Sequence, residues 1–331
     1  MQKLTNSPDD FVDEMLAGLC AAHPDLVIDP DEPRTVRRNA RTAGRRVGIV
    51  SGGGSGHLPL FTGYVGAGLL DACAIGNVFA GPTVASCMAA MRAADSGAGV
   101  LRLYGNYGGD RMNFDLAGEM LDEEGITSTT VLGTDDIASA GPDEAAKRRG
   151  VAGIVFAYKA AGALADEGAE LDAVTAIAQT AVDRCRTIGC AVSPCQLPGA
   201  DAPNFVLDDG EIEMGMGIHG EPGIWRDSLK SADALADEMI DRLLTETPAD
   251  ASGKVSVLVN SLGSTSLEET YILYRRIDAR LRADGLQIVR PLVGRYVTSM
   301  EMGGVSISLL HLNDQLEGLL AAPASCPFWT I

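Results

Sequence analysis

The 331-residue sequence predicts an α/β fold of two domains, the first a mainly parallel sheet flanked by helices and the second a smaller α/β sandwich. Three observations lead there. Short apolar runs stop at glycine-rich segments, as buried strands feeding loops do. Through the first half these runs alternate with helical-period sequence, the pattern of parallel strands joined by helical crossovers. Beyond residue 187 the pieces become shorter and more β-like, and a chain of this length usually divides its core. The expected domains are 1–186 and 187–331.

Taken in order, Ser7 with Asp10 offers a helix start, because a capping oxygen can accept a free backbone N–H of the first turn. Phe11, Met15, Leu16 and Leu19 follow at helical spacing. Val47 to Val50 read as a buried strand that stops at SGGGSGH. VLRLY (100–104) runs into GNYGGD, and TSTTVLG (127–133) runs into TDD. Gly153 to Phe156 read as another strand, followed by alanine-rich helical sequence from about Ala160 to Arg186. CAVSPCQLPG, NFVLDDGEIEMGMGIHGEPGI, VSVLVNSLG and VGRYVTSMEMGGVSISLLHL supply the β-like pieces of the second domain, separated by two helical stretches. Ser266 with Glu269 three positions on is a capping-box pattern. In parallel sheets the ligand crevice lies beyond the carboxyl ends of the strands, so the two glycine loops of the first half are expected to face one pocket.

Composition narrows the function. The 45 acidic and 26 basic side chains give a net charge of −19, which opposes binding to nucleic acid or to anionic membrane surfaces. With 46% hydrophobic and 21% charged residues the chain is globular. Its seven cysteines include no CxxC pair, so reduced thiols are expected. The acidic N-terminus is no signal peptide, and no run approaches the ~20 apolar residues of a membrane span. A cytoplasmic, unanchored protein is the expectation.

The loop Gly52-Gly53-Gly54-Ser55-Gly56-His57 is the first candidate site, since residues without Cβ let backbone N–H groups approach a bound oxygen. It lacks the GK[ST] ending of a Walker loop, and His57 stands where GxGxxG and GxSxG require glycine. The sequence therefore shows no ATP or NAD motif. In Gly105-Asn106-Tyr107-Gly108-Gly109-Asp110 a carboxylate follows a flexible turn, where Asp serves equally well as a helix cap or a catalyst. His219, in GMGIHGEPGI, is either a structural histidine in a glycine-bounded hairpin or an imidazole exposed to a ligand, able to act as nucleophile or base. His23 and His311 have no comparable setting and are read as structural.

Together SGGGSGH (51–57), GNYGGDRMNF (105–114) and GMGIHGEPGI (215–224) resemble the ketose-binding subunit or domain of dihydroxyacetone kinases. The likeness extends over the chain through FVDEMLAGL, RRGVAGIV (148–155), VLVNSLGSTSLEE (257–269) and YVTSMEMGGVSISLL (296–310). The resemblance implies that His219 adds to a ketone carbon and holds the substrate as a hemiaminal, that Asp110 takes the proton from the hydroxyl that receives phosphate, and that His57 assists. It also implies substrate contacts around Gly54, Ser55 and Gly56, a homodimer, and no nucleotide on this chain. Mg-ATP or Mg-ADP is expected instead on a separate helical nucleotide-binding subunit.

Three positions depart from the family pattern. Gly105 stands where lysine is usual, Gly81 where serine is usual, and Leu58 where an acidic residue is common. The first two enlarge the expected cavity, so the expected substrate is dihydroxyacetone or a longer, four-carbon ketose such as erythrulose. The competing reading is a ketose-sensing transcriptional coactivator on the same scaffold. That role needs His219 but not Asp110, and the presence of Asp110 favours the kinase.

Overall fold

The computed structural model describes residues 2–40 and 44–331. The chain divides into two compact units: Met1–Leu132, Ala157–Thr180 and Leu319–Ile331 form the first, and Gly133–Phe156 with Ala181–Gly318 form the second. Each unit is discontinuous in sequence, which differs from the single boundary expected at residue 187. Three of the four crossings fall inside continuous helices and the fourth inside a strand, where sequence offers no linker to read.

The first unit contains α1 (Phe11–Ala22), β1 (Leu26–Ile28), β2 (Thr35–Arg38), β3 (Gly48–Ser55), β4 (Ala72–Val78), α2 (Val84–Ala94), β5 (Val100–Gly105), α3 (Gly108–Asp122) and most of β6 (Ser128–Gly133). Its sheet runs β1-β2-β4-β3-β5-β6. β4, β3 and β5 are parallel, while β1 and β2 form an antiparallel border. From β3 the chain steps to β4 on one side and then to β5 on the other. That reversal of direction opens a crevice beyond the carboxyl ends of β3 and β5.

Helix α1 buries Val12, Leu16 and Leu19, but its N-cap is Asp10, whose side chain makes no capping bond. Ser7 lies too early for that role and accepts the Asp9 N–H instead (3.2 Å). Thr83 caps α2 by accepting the Ser86 N–H (3.1 Å). The core joins Val50, Ala74, Cys87, Met91, Tyr104, Phe114 and Leu121. At the amino end of β3, buried Arg46 forms a two-pronged pair with Asp71 (2.8 Å to each oxygen), and Asp71 also accepts the Ile49 N–H (2.8 Å).

The glycine segment is not the loop its composition suggests. Strand β3 continues through Gly52, Gly53 and Gly54 to Ser55, and all eight of its residues are buried. A Cβ on Gly52 would lie 2.5 Å from the Ala74 carbonyl oxygen, one on Gly53 would enter the Phe61 ring, and one on Gly54 would lie 2.7 Å from the Ala80 nitrogen. These glycines allow close packing of a strand that side chains would push away.

Helices α4 (Ile154–Asp166) and α5 (Leu171–Asp183) lie next in the chain, and each is shared by the two units. The segment 153–156, expected as a strand, opens α4. Buried Asp135 accepts the N–H groups of Val151 (2.9 Å) and Gly153 (2.8 Å), which satisfies donors at the start of the helix.

The second unit continues with β7 (Cys185–Ser193), β8 (Glu211–Met214), β9 (Trp225–Ser228), α6 (Ala232–Leu244), β10 (Lys254–Ser261), α7 (Leu267–Ala283), β11 (Gln287–Ile288), β12 (Leu292–Gly294), β13 (Gly303–His311) and most of α8 (Asp314–Ala321). The sheet order is β11-β10-β13-β7-β8-β9, with β12 also on β10. Leu235, Met239 and Leu243 of α6 and Leu273, Ile277 and Leu281 of α7 pack with Val257, Ile307 and Ile188 of the sheet. Helix α7 begins with the expected capping box: Ser266 Oγ accepts the Glu269 N–H while Glu269 accepts the Ser266 N–H. Among the described residues no cysteine forms a disulfide and no helix is long and apolar enough to cross a membrane.

Candidate active site

In the first unit the loops after β3, β4 and β5 gather most of the sequence-predicted site residues. Gly54 and Ser55 end β3, and Ser55 pairs with Val78 across a register shift that lets β4 bend away. Gly56 takes φ +103°, a conformation reserved for glycine, and turns the chain into His57. The His57 ring is buried, stacked on Phe79 (centroids 5.0 Å, 21° between planes) and edge-on to Phe61 (6.5 Å, 81°). Phe61 and Phe79 themselves have φ of +70° and +59°. Positive φ costs a non-glycine residue of order 1–3 kcal/mol, and such strain is retained where neighbouring structure imposes it.

Asp110 stands in the first turn of α3 and is buried, while Gly108 and Gly109 just before it are exposed, with nothing near their absent Cβ atoms. A carboxylate in that turn faces the positive end of the helix dipole. Tyr107, not Asp110, is the N-cap, so capping by Asp110 is set aside. Gly81 is brought directly to this group: a Cβ there would lie 2.5 Å from Asp110 Oδ1. Gly105 ends β5 and is buried.

His219 belongs to the second unit, in the hairpin loop between β8 and β9. The loop is closed by the Ile224 N–H donating to the Met214 carbonyl (2.7 Å) and the Gly217 N–H donating to the Glu221 carbonyl (3.0 Å). The imidazole is partly exposed, and its Nδ1 lies 2.9 Å from Glu221 Oε1. The His219 backbone N–H donates to Glu221 Oε2 (3.0 Å), so one carboxylate holds both the ring and the main chain of the same residue. Asn204 Nδ2 donates to the His219 carbonyl (3.3 Å).

A second layer supports that carboxylate. Arg149 donates through Nε to Asp136 Oδ2 (2.9 Å) and through Nη2 to the Gly215 carbonyl (3.1 Å), and its Nη1 lies 3.9 Å from Glu221 Oε2. Burial opposes ionisation of Glu221, but the hydrogen bond from His219 and the nearby Arg149 guanidinium outweigh it and hold the carboxyl at about 2. At Asp136 burial wins over Arg149 and pushes the carboxyl up to about 6. Glu221, Arg149 and Asp136 were not assigned roles from sequence, although Glu221 and Arg149 lie inside segments that carry the family likeness. Spacing shows that a carboxylate follows a histidine by two positions; only the folded loop shows it turning back onto the ring.

His311, in β13, is fully buried, and neither ring nitrogen has a hydrogen-bond partner among the described residues. Burial, with Arg184 and Arg186 nearby, pushes its pKa down to about 4. It is a structural histidine, as expected. Among the described residues no cluster of His, Cys, Asp and Glu has the make-up of a metal site.

Known proteins resemble this chain over nearly its whole length. Residues 17–328 match the Dak1 domain. A dihydroxyacetone-binding subunit DhaK of a PTS-dependent dihydroxyacetone kinase from Listeria innocua is 43% identical over the full length of both chains. An L-erythrulose 1-kinase from Mycolicibacterium smegmatis is 42% identical over 99% of this chain, which spans only 58% of that enzyme. The solved dihydroxyacetone kinase of C. freundii superposes with a TM-score of 0.91 at 32% identity, covering 99% of this chain and 60% of that one. The match over nearly the whole sequence shows that the chain belongs to the Dak1 family.

Proposed function

We propose that this protein is the substrate-binding subunit of a ketose kinase, holding a short ketose covalently on His219 while Asp110 deprotonates the hydroxyl that accepts phosphate. The observation that carries the reading is Asp110, a buried carboxylate at an open helix start with glycine at position 81 against its oxygen. A protein that only captured ketones would have no use for it.

Covalent capture explains how so small a ligand can be selected. Noncovalent contacts offer at most about 1.5 kcal/mol per heavy atom, which separates a ketose poorly from glycerol. Bond formation to a carbonyl carbon excludes polyols outright. It also fixes the hydroxyl for Asp110, and orientation supplies much of the catalysis in phosphoryl transfer. His57, held between Phe61 and Phe79, assists as a fixed hydrogen-bonding group, and the backbone from Gly54 to Gly56 contacts substrate oxygens.

The phosphoryl group comes from magnesium-bound ATP or ADP on a helical partner subunit. The substrate is dihydroxyacetone or, with glycine at 81 and 105, a four-carbon ketose such as erythrulose. The likeness to an erythrulose kinase supports the longer sugar. The remaining parts of the reading are a cytoplasmic location, a homodimer, and two domains that divide deprotonation from capture. A kinase assay with the cognate nucleotide subunit tests it: phosphorylation of erythrulose or dihydroxyacetone is expected, and no transfer to either with any such subunit would refute it.

A further inference from the structure

The geometry points to Glu221, with Arg149 and Asp136 behind it, as the positioning group that keeps the His219 proton on Nδ1, so that Nε2 presents its lone pair to the ketone. This rests on capture by His219. An ionised carboxylate can only accept a hydrogen bond, so Nδ1 at 2.9 Å from Glu221 Oε1 must carry the hydrogen. The neutral ring then has its lone pair on Nε2.

The same contact matters during the reaction. The Nε2 lone pair forms the C–N bond as the carbonyl π bond breaks, giving an alkoxide and an imidazolium. The alkoxide then takes up one proton and Nδ1 gives one up, so the adduct is neutral and no proton is consumed overall. Glu221 lies against the ring while it carries the positive charge. A carboxylate behind a histidine plays the same two parts in serine hydrolases, fixing the tautomer and stabilising the imidazolium.

The carboxylate is itself fixed from three directions. It accepts the His219 main-chain N–H (3.0 Å), it faces Arg149 Nη1 (3.9 Å), and it fills the space beside Gly217, where a Cβ would collide with Glu221 Oε2. Asp136 in turn holds the Arg149 guanidinium (2.8 Å), so the network reaches from the buried TDD segment to the hairpin.

Glu221→Gln is the direct test, because an amide of the same shape can donate to Nδ1 and stabilise the wrong tautomer. Adduct formation is followed with erythrulose and dihydroxyacetone labelled with 13C at the carbonyl carbon, and the His219 tautomer by 15N NMR. The expected result is a rapid adduct in the unsubstituted protein. In Glu221→Gln, capture should slow by about 10²–10⁴-fold, with the proton moved to Nε2 and the melting temperature little changed. Glu221→Asp, which keeps the charge, should recover part of the rate. Should Glu221→Gln fail to fold, Asp136→Asn is read in the same way and should slow capture by about tenfold. An adduct in the unsubstituted protein that forms at the same rate and with the same tautomer in these variants overturns the inference. No adduct in the unsubstituted protein would instead refute capture by His219.

Discussion

The surroundings of Asp110 and those of His219 are built by opposite means. In the first unit the site residues follow a strand whose glycines pack against backbone and aromatic rings, and the His57 ring packs against Phe61 and Phe79. In the second unit a hairpin holds His219 through a carboxylate, an arginine and a further carboxylate, and its position is set by hydrogen bonds and charge. The packed strand does not tolerate an added methyl; the polar hairpin tolerates a small displacement but depends on ionisation. The division suits the proposed tasks, since a base for a hydroxyl needs a fixed location and a nucleophile needs a controlled proton.

The largest expected effect is on turnover. Asp110→Asn should lower kcat by about 10²–10⁴-fold while ketose capture survives, a separation read by steady-state kinetics beside adduct NMR. Loss of capture in this variant would mean that the two sites do not divide the work.

Next comes a matched pair of glycines. In Gly54→Ala the new Cβ meets main-chain atoms of Phe79 and Ala80 at 2.7–2.9 Å that cannot step aside, and the expected cost is about 3 kcal/mol of stability. In Gly217→Ala it meets only the ends of Glu221 and Arg149, which can move. Stability should then fall by less than about 1 kcal/mol while capture weakens. Denaturant unfolding of both proteins makes the comparison, and equal stability losses would contradict it.

Acid provides the third test. The unfolded chain protonates His311 below about 6.5, whereas the folded imidazole takes a proton only near 4. This term stabilises nothing above 6.5 and costs about 2 kcal/mol by pH 5. Asp136, pushed up to about 6, acts in the opposite sense, because the folded protein binds its proton first as pH falls. His311→Phe should therefore abolish the loss between pH 7 and 5 and leave the variant slightly more stable at the lower pH. An unchanged pH slope in thermal melts would show that His311 is not the titrating group.

The smallest effect concerns substrate length. Gly81→Ser places a side chain against Asp110 Oδ1 and should shift kcat/KM toward dihydroxyacetone over erythrulose by about tenfold. An unmoved ratio would remove the argument that the absent side chain makes room for a fourth carbon.

Sequence reading reached the elements whose signals are local. Ser266 and Glu269 announce α7, the apolar runs at 100–104 and 127–133 become β5 and β6, and three motifs locate His57, Asp110 and His219. It missed what depends on residues far apart in the chain. Gly52 to Gly54 read as a loop because their composition is that of loops, while the reason for them lies in Phe114, Phe61 and Phe79. Gly153 to Phe156 read as a strand because the capping oxygens of Asp135 come from 16 and 18 positions away. The support of Glu221 by Arg149 and Asp136 has the same character, since the partners of the histidine meet only in the folded hairpin.

The most direct test of the central claim is the 13C spectrum of carbonyl-labelled ketose mixed with this protein and with His219→Ala. Conversion of the carbonyl resonance to that of a saturated carbon bound to nitrogen, lost in the variant while Asp110→Asn retains it, is the predicted result. A carbonyl signal that stays unchanged in the unsubstituted protein, with either sugar, would contradict covalent capture.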